Sequence, residues 1–281
     1  MAITINSNIP SLNAQRNLGQ ATLALSDSFA RLSSGLRINK ASDDAAGLSI
    51  ADSLRADKRI AAVAIRNAND GIAALNIADG AMNEISGLLA RMGELAEQSA
   101  NGILGAAQRT ALSKEFESLG AEINRIAAVT EFNKIGLLST SGTITLQVGL
   151  KGADTTSQIT LNTIATDATG LGLASYLSGA TGTSLDTEVK ARTALDAVKT
   201  AIDTISGQRG DLGAVQSRLA TTITNLQVTR ENFSAAESQI RDVDVASEAA
   251  EMTRLSILQQ AGASVLAQAN QMPGLALKLL G

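Results

Sequence analysis

The chain has 281 residues, of which 44% are apolar and only 2% aromatic, and its formal net charge is −4 at pH 7. The aliphatic content is enough for a sizeable core, whereas the acidic balance and the scarcity of aromatic rings argue against a nucleic-acid-binding protein. The sequence contains neither cysteine nor histidine, which excludes disulfides, thiolate zinc sites, Ser-His-Asp triads and His-Glu-x-x-His zinc motifs.

The start of the chain lacks the basic residues and the apolar run of a cleaved signal peptide, so export would need another route. No apolar run is long enough to predict a membrane span. Pro10 suits the first turn of a helix, and Pro273 followed by Gly274 suits a helix end. Because no proline lies between Pro10 and Pro273, long uninterrupted helices are predicted.

Apolar residues recur at helical spacing through the first half of the chain. From Ala61 to Ala96 the steps alternate between four and three, with one slip between Leu75 and Ala78. This pattern predicts a coiled-coil seam with a local irregularity. A shorter seam runs over residues 18–36, and another helix is predicted over about 107–130.

Between the helical arms the apolar period changes to two. Ile144 and Leu146 alternate with polar residues, and Ile159 and Leu161 do so again after a turn-rich stretch. This alternation predicts a β-hairpin at about 143–164. Residues 166–187 are rich in Gly, Thr and Ser, and predict a short variable loop.

Helical spacing returns from Val198 to the C-terminus. Because an apolar seam must be buried, we expect the two arms to pack against each other as long antiparallel helices. The predicted fold is therefore mainly α, a coiled-coil bundle built from both chain ends with a small β-hairpin in the middle. We predict a terminal-helix domain from residues 1–42 and 241–281, and a helical domain from residues 43–240.

Both chain ends are poor in charge and rich in amides. Arg16 is the only charged residue from Met1 to Ser26, and Lys278 is the only one from Leu255 to Gly281. Amides without charges suit buried contacts that still need hydrogen bonds, and a packed polymer would bury both ends. We predict core packing by Leu25, Phe29, Leu32, Leu36, Leu258 and Val265, with hydrogen bonds from Gln259, Gln260 and Gln268.

Two acidic clusters could carry chemistry, and each also has a structural interpretation. Asp43 and Asp44 could be paired catalytic carboxylates, but they precede an apolar-periodic run and suit helix capping. Asp242, Asp244 and Glu248 hint at a calcium loop, yet they lack the glycine and the ligand spacing of an EF-hand and suit a helix start. The sequence therefore predicts no enzyme, no metal site and no cofactor.

Several motifs resemble those of bacterial flagellins and occur in the same order. Ile5-Asn6-Ser7-Asn8 resembles the opening of that family, and the segment from Ile257 to Gln271 resembles its terminal helix. The resemblance covers about residues 1–140 and 190–281. Lys134 departs from the family pattern, which usually has glycine after Phe-Asn. Other matching segments lie at 11–18, 32–39, 43–48, 67–72, 94–102, 122–126, 130–133, 212–216 and 241–244.

The resemblance implies a secreted structural subunit that polymerises into the extracellular flagellar filament used for swimming. It also implies type III export without a cleaved signal peptide, and partners that include an export chaperone, a filament cap and hook-junction proteins. Arg91 and Glu115 fall where the family contacts a vertebrate Toll-like receptor, although both could be solvated or intersubunit charges. The alternatives are a hook–filament junction protein and a secreted coiled-coil translocator or adhesin.

Overall fold

The structure is a computed structural model that describes residues 7–152, 154–163, 165–177 and 185–280; for residues 273 and 275–280 it describes the helix but not the side chains. Long helices from both chain ends flank two small antiparallel sheets, which confirms the predicted mainly α fold. In chain order the elements are α1 (Ile9–Ser34), α2 (Ala45–Ser99), α3 (Ala106–Val129), β1 (Glu131–Phe132), β2 (Ile135–Gly136), β3 (Gly142–Gln147), β4 (Gln158–Thr163), α4 (Ala174–Leu177), α5 (Glu188–Arg241) and α6 (Val245–Leu280).

Local sequence signals explain where α1 begins and ends. The Asn8 side chain caps the helix by accepting a hydrogen bond from the Ser11 main-chain N–H at 3.1 Å. Pro10 lies in the first turn, where its missing N–H would have had no helical partner. The helix ends at Gly35, whose φ of 71° is a left-handed conformation that glycine adopts without a steric penalty.

The predicted helix end at Pro273 and Gly274 was wrong, because α6 continues through both residues to Leu280. Proline removes one main-chain hydrogen bond and crowds the preceding turn, at a cost of about 3 kcal/mol inside a helix. That cost weakens a helix locally but does not forbid helical turns on both sides of the proline.

The predicted seam of α2 forms one wall of an aliphatic core. The seam positions from Ala61 to Ala96 are buried, except Ile65 and Ile72, which are half-buried. Helices α3 and α5 bury their own apolar stripes in the same core. The bulkiest side chains with almost no exposure are Phe116, Leu75, Met82, Ile85, Leu89, Met92, Leu95, Ile123, Leu138, Leu173, Leu185 and Ile205.

Strands β3 and β4 form the hairpin that the sequence predicted at 143–164, with Leu146 opposite Ile159. The hairpin approaches α2 closely at Gly71, where an added Cβ would lie 2.4 Å from a methyl carbon of Leu146. Any side chain at this position would therefore force the Leu146 side chain to move. The last residue of the predicted hairpin, Ile164, lies outside the described residues.

A second, smaller hairpin was not predicted. Strands β1 and β2 pair directly, joined by Asn133 and Lys134, which have φ values of 50° and 65°. Two left-handed residues in succession are typical of the tight type I′ turn, in which asparagine followed by glycine is the favoured pair. Because lysine takes the second position of the turn here, the sequence does not show the Asn-Gly pair that would have predicted the hairpin.

The segment predicted as a variable loop, 166–187, also supplies core residues. Its described parts include the short helix α4, and Leu171, Leu173 and Leu185 are buried in the same aliphatic core. Residues 178–184 of the predicted loop lie outside the described residues. The high Gly, Thr and Ser content predicted a loop, but three leucines of this segment are buried and anchor it to the core on both sides.

The chain divides into two compact units, which we call the terminal unit (Met1–Lys58 and Glu231–Gly281) and the central unit (Arg59–Arg230). Both divisions fall inside long helices, α2 and α5. The predicted domain limits at 42/43 and 240/241 fall instead near the breaks between helices, and they remain a prediction about the domains.

Candidate functional site

In the terminal unit, α1 and α6 pair in antiparallel directions. The Asn8 side-chain amide donates to the Ala269 carbonyl at 2.8 Å, and the Gln259 amide donates to the Thr22 hydroxyl at 3.3 Å. Gly262 lies against Leu18, so that a Cβ added there would sit 3.4 Å from a Leu18 methyl carbon. Residue numbers fall along α6 as they rise along α1, which establishes the antiparallel direction.

Small residues line the contact between α1 and α6. Ser11, Ala14 and Ser28 are the buried residues of α1, and Leu255 and Ala269 are buried on α6. Small side chains let two helices approach closely, but they bury little apolar area for each residue. The pair therefore leaves most of its large apolar side chains on the outside.

A short main-chain bridge joins the residues that follow α1 to the end of α5 and the residues just before α6. The Arg37 N–H donates to the Arg241 carbonyl at 2.6 Å, and the Val243 N–H donates to the Gly35 carbonyl at 3.1 Å. The Arg37 guanidinium also donates to the Ile240 carbonyl at 2.7 Å. These bonds satisfy main-chain groups that a helix end leaves unpaired.

An ion cluster lies next to this bridge. Glu237, whose side chain is only 12% exposed, accepts from Arg55 Nε at 2.9 Å and from Lys58 Nζ at 2.6 Å. Hydrogen bonding to Lys58 and then to Arg55 lowers the pKa of Glu237, against the opposing effect of burial. Asp52 accepts from Arg241 at 3.3 Å. The cluster ties the first turns of α2 to the end of α5 by charge.

The capping role predicted for acidic residues at helix starts is confirmed for Asp44 and Asp244 but was wrong for Asp43. Asp43 instead accepts from the N–H groups of Lys40 and Asn39 in the turn before α2, and these bonds lower its pKa. Asp44 accepts from the Gly47 N–H at 2.9 Å, and Asp244 caps α6 in the same way. Among the described residues, no group of three or more acidic side chains is arranged to hold a metal ion.

The predicted core-packing residues of the chain ends divide into two groups. Leu25, Leu32 and Leu36 are half-buried, whereas Phe29 is 65% and Val265 54% exposed. The remaining predicted residues are Leu258 and Gln260, which are exposed, Gln259, which is half-buried, and Gln268, which is exposed.

Sequence reasoning missed further apolar residues on the same unit. All but Met272 lie off the predicted seams, so a search for one apolar stripe does not find them, although an apolar residue in a charge-poor helix is itself a signal. The exposed large apolar residues not predicted are Ile9, Leu12, Leu23, Ile50, Val245, Ile257 and Met272. We call these residues, together with Phe29, Leu258 and Val265, the exposed apolar surface of the terminal unit.

Arg91 and Glu115 lie together in the central unit, although 24 residues separate them. The Arg91 guanidinium donates to Glu115 at 2.8 Å and to Glu94 at 2.8 Å. Hydrogen bonds to Glu94 and then to Glu115 raise the pKa of Arg91 above its ordinary value. All three side chains are partly exposed, so the cluster forms one charged patch that joins α2 to α3.

Two family models match most of the chain. The bacterial flagellin N-terminal helical region matches residues 5–143, and the bacterial flagellin C-terminal helical region matches residues 195–280. The chain belongs to the bacterial flagellin family. The first match ends at residue 143, at the start of β3, and the second begins at residue 195, inside α5, so most of the hairpin β3–β4 and the segment after it lie outside both matches.

Individual relatives agree with this assignment. A flagellin of Halalkalibacterium halodurans is 42% identical and aligns over 98% of this chain and 99% of its own length. The flagellar filament 33 kDa core protein of Treponema phagedenis is 38% identical over 98% and 99%. A solved putative flagellar hook-associated protein from Vibrio parahaemolyticus, 12% identical with a TM-score of 0.56, covers 71% of this chain and 100% of its own, and shows similarity of fold alone.

This flagellin is therefore a structural subunit of the flagellar filament and not an enzyme. No comparison favours the alternative of a hook–filament junction protein. In the described part of the chain, no helix is both long and apolar enough to cross a membrane.

Proposed function

We propose that this flagellin polymerises by burying the exposed apolar surface of its terminal unit against neighbouring copies, so that α1 and α6 become the filament core. The observation that carries the proposal is the exposure of Phe29, Leu258 and Val265 on a helix pair that buries mainly Ser and Ala within the chain. Several large apolar side chains exposed on one unit, as here, are typical of an interaction site.

The scarcity of charge at the chain ends supports the same assembly. Burying an unpaired charge between stacked copies would cost several kcal/mol for each ion, and like charges would repel along the polymer. Amides avoid both costs, provided that they find hydrogen-bond partners. Gln260 and Gln268 are exposed in the single chain, so their amides are available to neighbouring copies.

Seeded polymerisation of the purified full chain tests this assembly. Short filament fragments are added to the monomer, and growth is followed by light scattering and electron microscopy. We expect long filaments of uniform width. A product limited to soluble oligomers or short caps, whatever the protein concentration, would favour a junction or adhesin role instead.

We also propose that the chain is secreted through the flagellar type III apparatus, with an export chaperone, a filament cap and hook-junction proteins as partners. Family membership is the support for this part of the proposal. Expression in a flagellated host tests it: the chain should reach the medium when filament assembly is blocked and stay inside when the export apparatus is deleted. Secretion without the apparatus would refute the route.

Recognition by a vertebrate Toll-like receptor through Arg91 and Glu115 is a separate proposal. Its support is that the two residues form one partly exposed patch. Reporter cells treated with monomeric protein should respond less to an Arg91→Ala, Glu115→Ala double variant. The matched control replaces Arg125 and Glu122, an exposed ion pair within α3, by alanine. Full activity of the Arg91/Glu115 variant would disprove the assignment.

A further inference from the structure

The turn between α2 and α3 contains the only Asn-Gly pair in the sequence, Asn101-Gly102. Both residues are exposed and lie outside the helices. Glycine puts no side chain in the way of its own main-chain nitrogen and has the widest backbone freedom of any residue. An Asn-Gly pair in an exposed turn is therefore the arrangement in which that nitrogen reaches the asparagine side-chain amide most easily.

The hydrogen bonds of this turn prepare the asparagine for that attack. The Asn101 side-chain oxygen accepts from the Ile103 N–H at 3.1 Å, which fixes the amide within the turn that contains Gly102 and withdraws electron density from the amide carbonyl carbon. Among the hydrogen bonds found for the described residues, none is donated by the Gly102 N–H. The Gly102 nitrogen is thus available, and its attack on Cγ of Asn101 closes a five-membered ring.

We propose that Asn101 is a site of spontaneous deamidation and isoaspartate formation. The deprotonated Gly102 nitrogen attacks Cγ of Asn101, the bond from Cγ to the amide nitrogen breaks, and that nitrogen leaves as ammonia after taking up the one proton that Gly102 gave up. One water molecule then opens the resulting five-membered imide at either carbonyl, which yields aspartate or isoaspartate. The step needs water alone, and it makes the chain more negative by one charge.

Formation of isoaspartate would also disturb a buried contact. The main-chain carbonyl of Asn101 accepts from Arg109 at 2.9 Å, and Arg109, which is only 7% exposed, also donates to the Ser99 carbonyl. The Ser99 hydroxyl in turn donates to the Leu185 carbonyl at 2.8 Å. Because isoaspartate routes the main chain through the side chain and adds one methylene, the carbonyl moves away from Arg109 and leaves a buried guanidinium short of an acceptor.

Incubation of the full-length monomer in mildly alkaline buffer tests the proposal. Tryptic peptides are collected over time, and electron-transfer fragmentation separates aspartate from isoaspartate at position 101. The internal control is Asn133, which is exposed but followed by Lys134. We expect isoaspartate at Asn101 to exceed that at Asn133 several-fold. An unmodified Asn101, after a time in which a free peptide of residues 96–106 is half converted, would overturn the proposal.

Gly102→Ala is the matched variant, because an added Cβ would find its nearest neighbour, a Glu188 oxygen, at an ordinary 3.6 Å and the residue has no left-handed φ. The variant should fold normally and deamidate several-fold more slowly. Its thermal midpoint should not change with ageing, whereas that of the natural chain should fall.

An Asn101→Asp variant, which adds the charge without the methylene, should keep its midpoint. An aged natural chain rich in isoaspartate with an unchanged midpoint would refute the proposed loss of the Arg109 contact.

Discussion

The central and terminal units both have apolar residues at helical spacing, but the central unit buries its large apolar side chains and the terminal unit leaves many of them exposed. All of the bulkiest fully buried side chains belong to the central unit, where Phe116 and Met82 are at most 2% exposed. Among the described residues of the terminal unit, the buried apolar residues are mostly small, while Phe29 and Leu23 are exposed. The buried apolar residues of the terminal unit are Ala14, Ile38, Ala51, Leu255 and Ala269.

The difference teaches that helical periodicity alone does not make a self-sufficient core. Stability from packing scales with the apolar area that is buried, at about 25 cal/mol for each Å². The central unit buries its area within the chain, so it should fold by itself. The terminal unit keeps much of its apolar area outside, so it should depend on other copies for stability.

The largest effect should come from a charge on the exposed apolar surface. Val265→Asp would place a carboxylate where we propose that neighbouring copies pack, without a partner in the chain. An unpaired buried charge costs several kcal/mol, so the critical concentration for polymerisation should rise by about two orders of magnitude or more. Sedimentation of seeded reactions measures this concentration, and circular dichroism should show an unchanged melting of the central unit.

Val189→Asp is the matched control for that substitution. Val189 is 70% exposed on the central unit, in the first turn of α5, where a negative charge is favourable. We expect the control to polymerise normally. Equal loss of polymerisation in both variants would show that the effect is not specific to the terminal unit.

Hydrogen exchange should separate the two units in the free monomer. Main-chain amides of residues 11–34 and 245–272 should exchange about a hundredfold faster than those of residues 75–95, because opening the terminal helices exposes little buried area. In the assembled filament this difference should shrink. Strong protection of both chain ends in the monomer would contradict the dependence of the terminal unit on assembly.

A pH-dependent contribution should come from Glu237 in the terminal unit. Its folded pKa lies below the ordinary value, so its ion pairs stabilise the fold at neutral pH, and this stability is lost as the pH falls through the folded pKa. Glu237→Gln should destabilise the terminal unit by about 1.5–3 kcal/mol at neutral pH, the usual size for hydrogen bonds to a charged group. Urea unfolding at neutral and acidic pH should show the difference closing in acid.

The control for that variant is Glu251→Gln, which breaks an exposed pair with Arg254 one turn away. Exposed pairs contribute little, so unfolding should be unchanged. A pH-independent loss in Glu237→Gln would show that packing, and not charge, is responsible.

Residue spacing and capping residues in the sequence predicted those elements that depend on interactions between residues close together in the chain. The seam of α2, the alternation in β3 and β4, and the capping roles of Asp44 and Asp244 were all visible in the sequence. Each depends on residues a few positions apart, whose spacing decides which face they share.

Long-range arrangements were not predictable in the same way. Glu237 meets Arg55 across 182 residues of sequence, and no spacing rule connects them. The same holds for Leu173 and Leu185, which lie in a loop-like composition but are buried. In the terminal unit, the apolar residues can be read from the sequence, but only the fold shows which of them the chain leaves exposed.

The smallest expected effect comes from two glycines that differ only in the unit to which they belong. Gly207 in α5 and Gly19 in α1 both lie inside helices, and a Cβ added at either would meet no atom within 4 Å. Alanine at either position should favour the helix by up to about 1 kcal/mol. Gly207→Ala should therefore raise the thermal midpoint of the central unit by about 2–4 °C, whereas Gly19→Ala should leave that midpoint unchanged, because α1 contributes nothing to the central core. Differential scanning calorimetry of the two monomers measures both midpoints. An equal rise in both variants would mean that the two units unfold as one, and the contrast between a self-sufficient unit and a dependent one would fail.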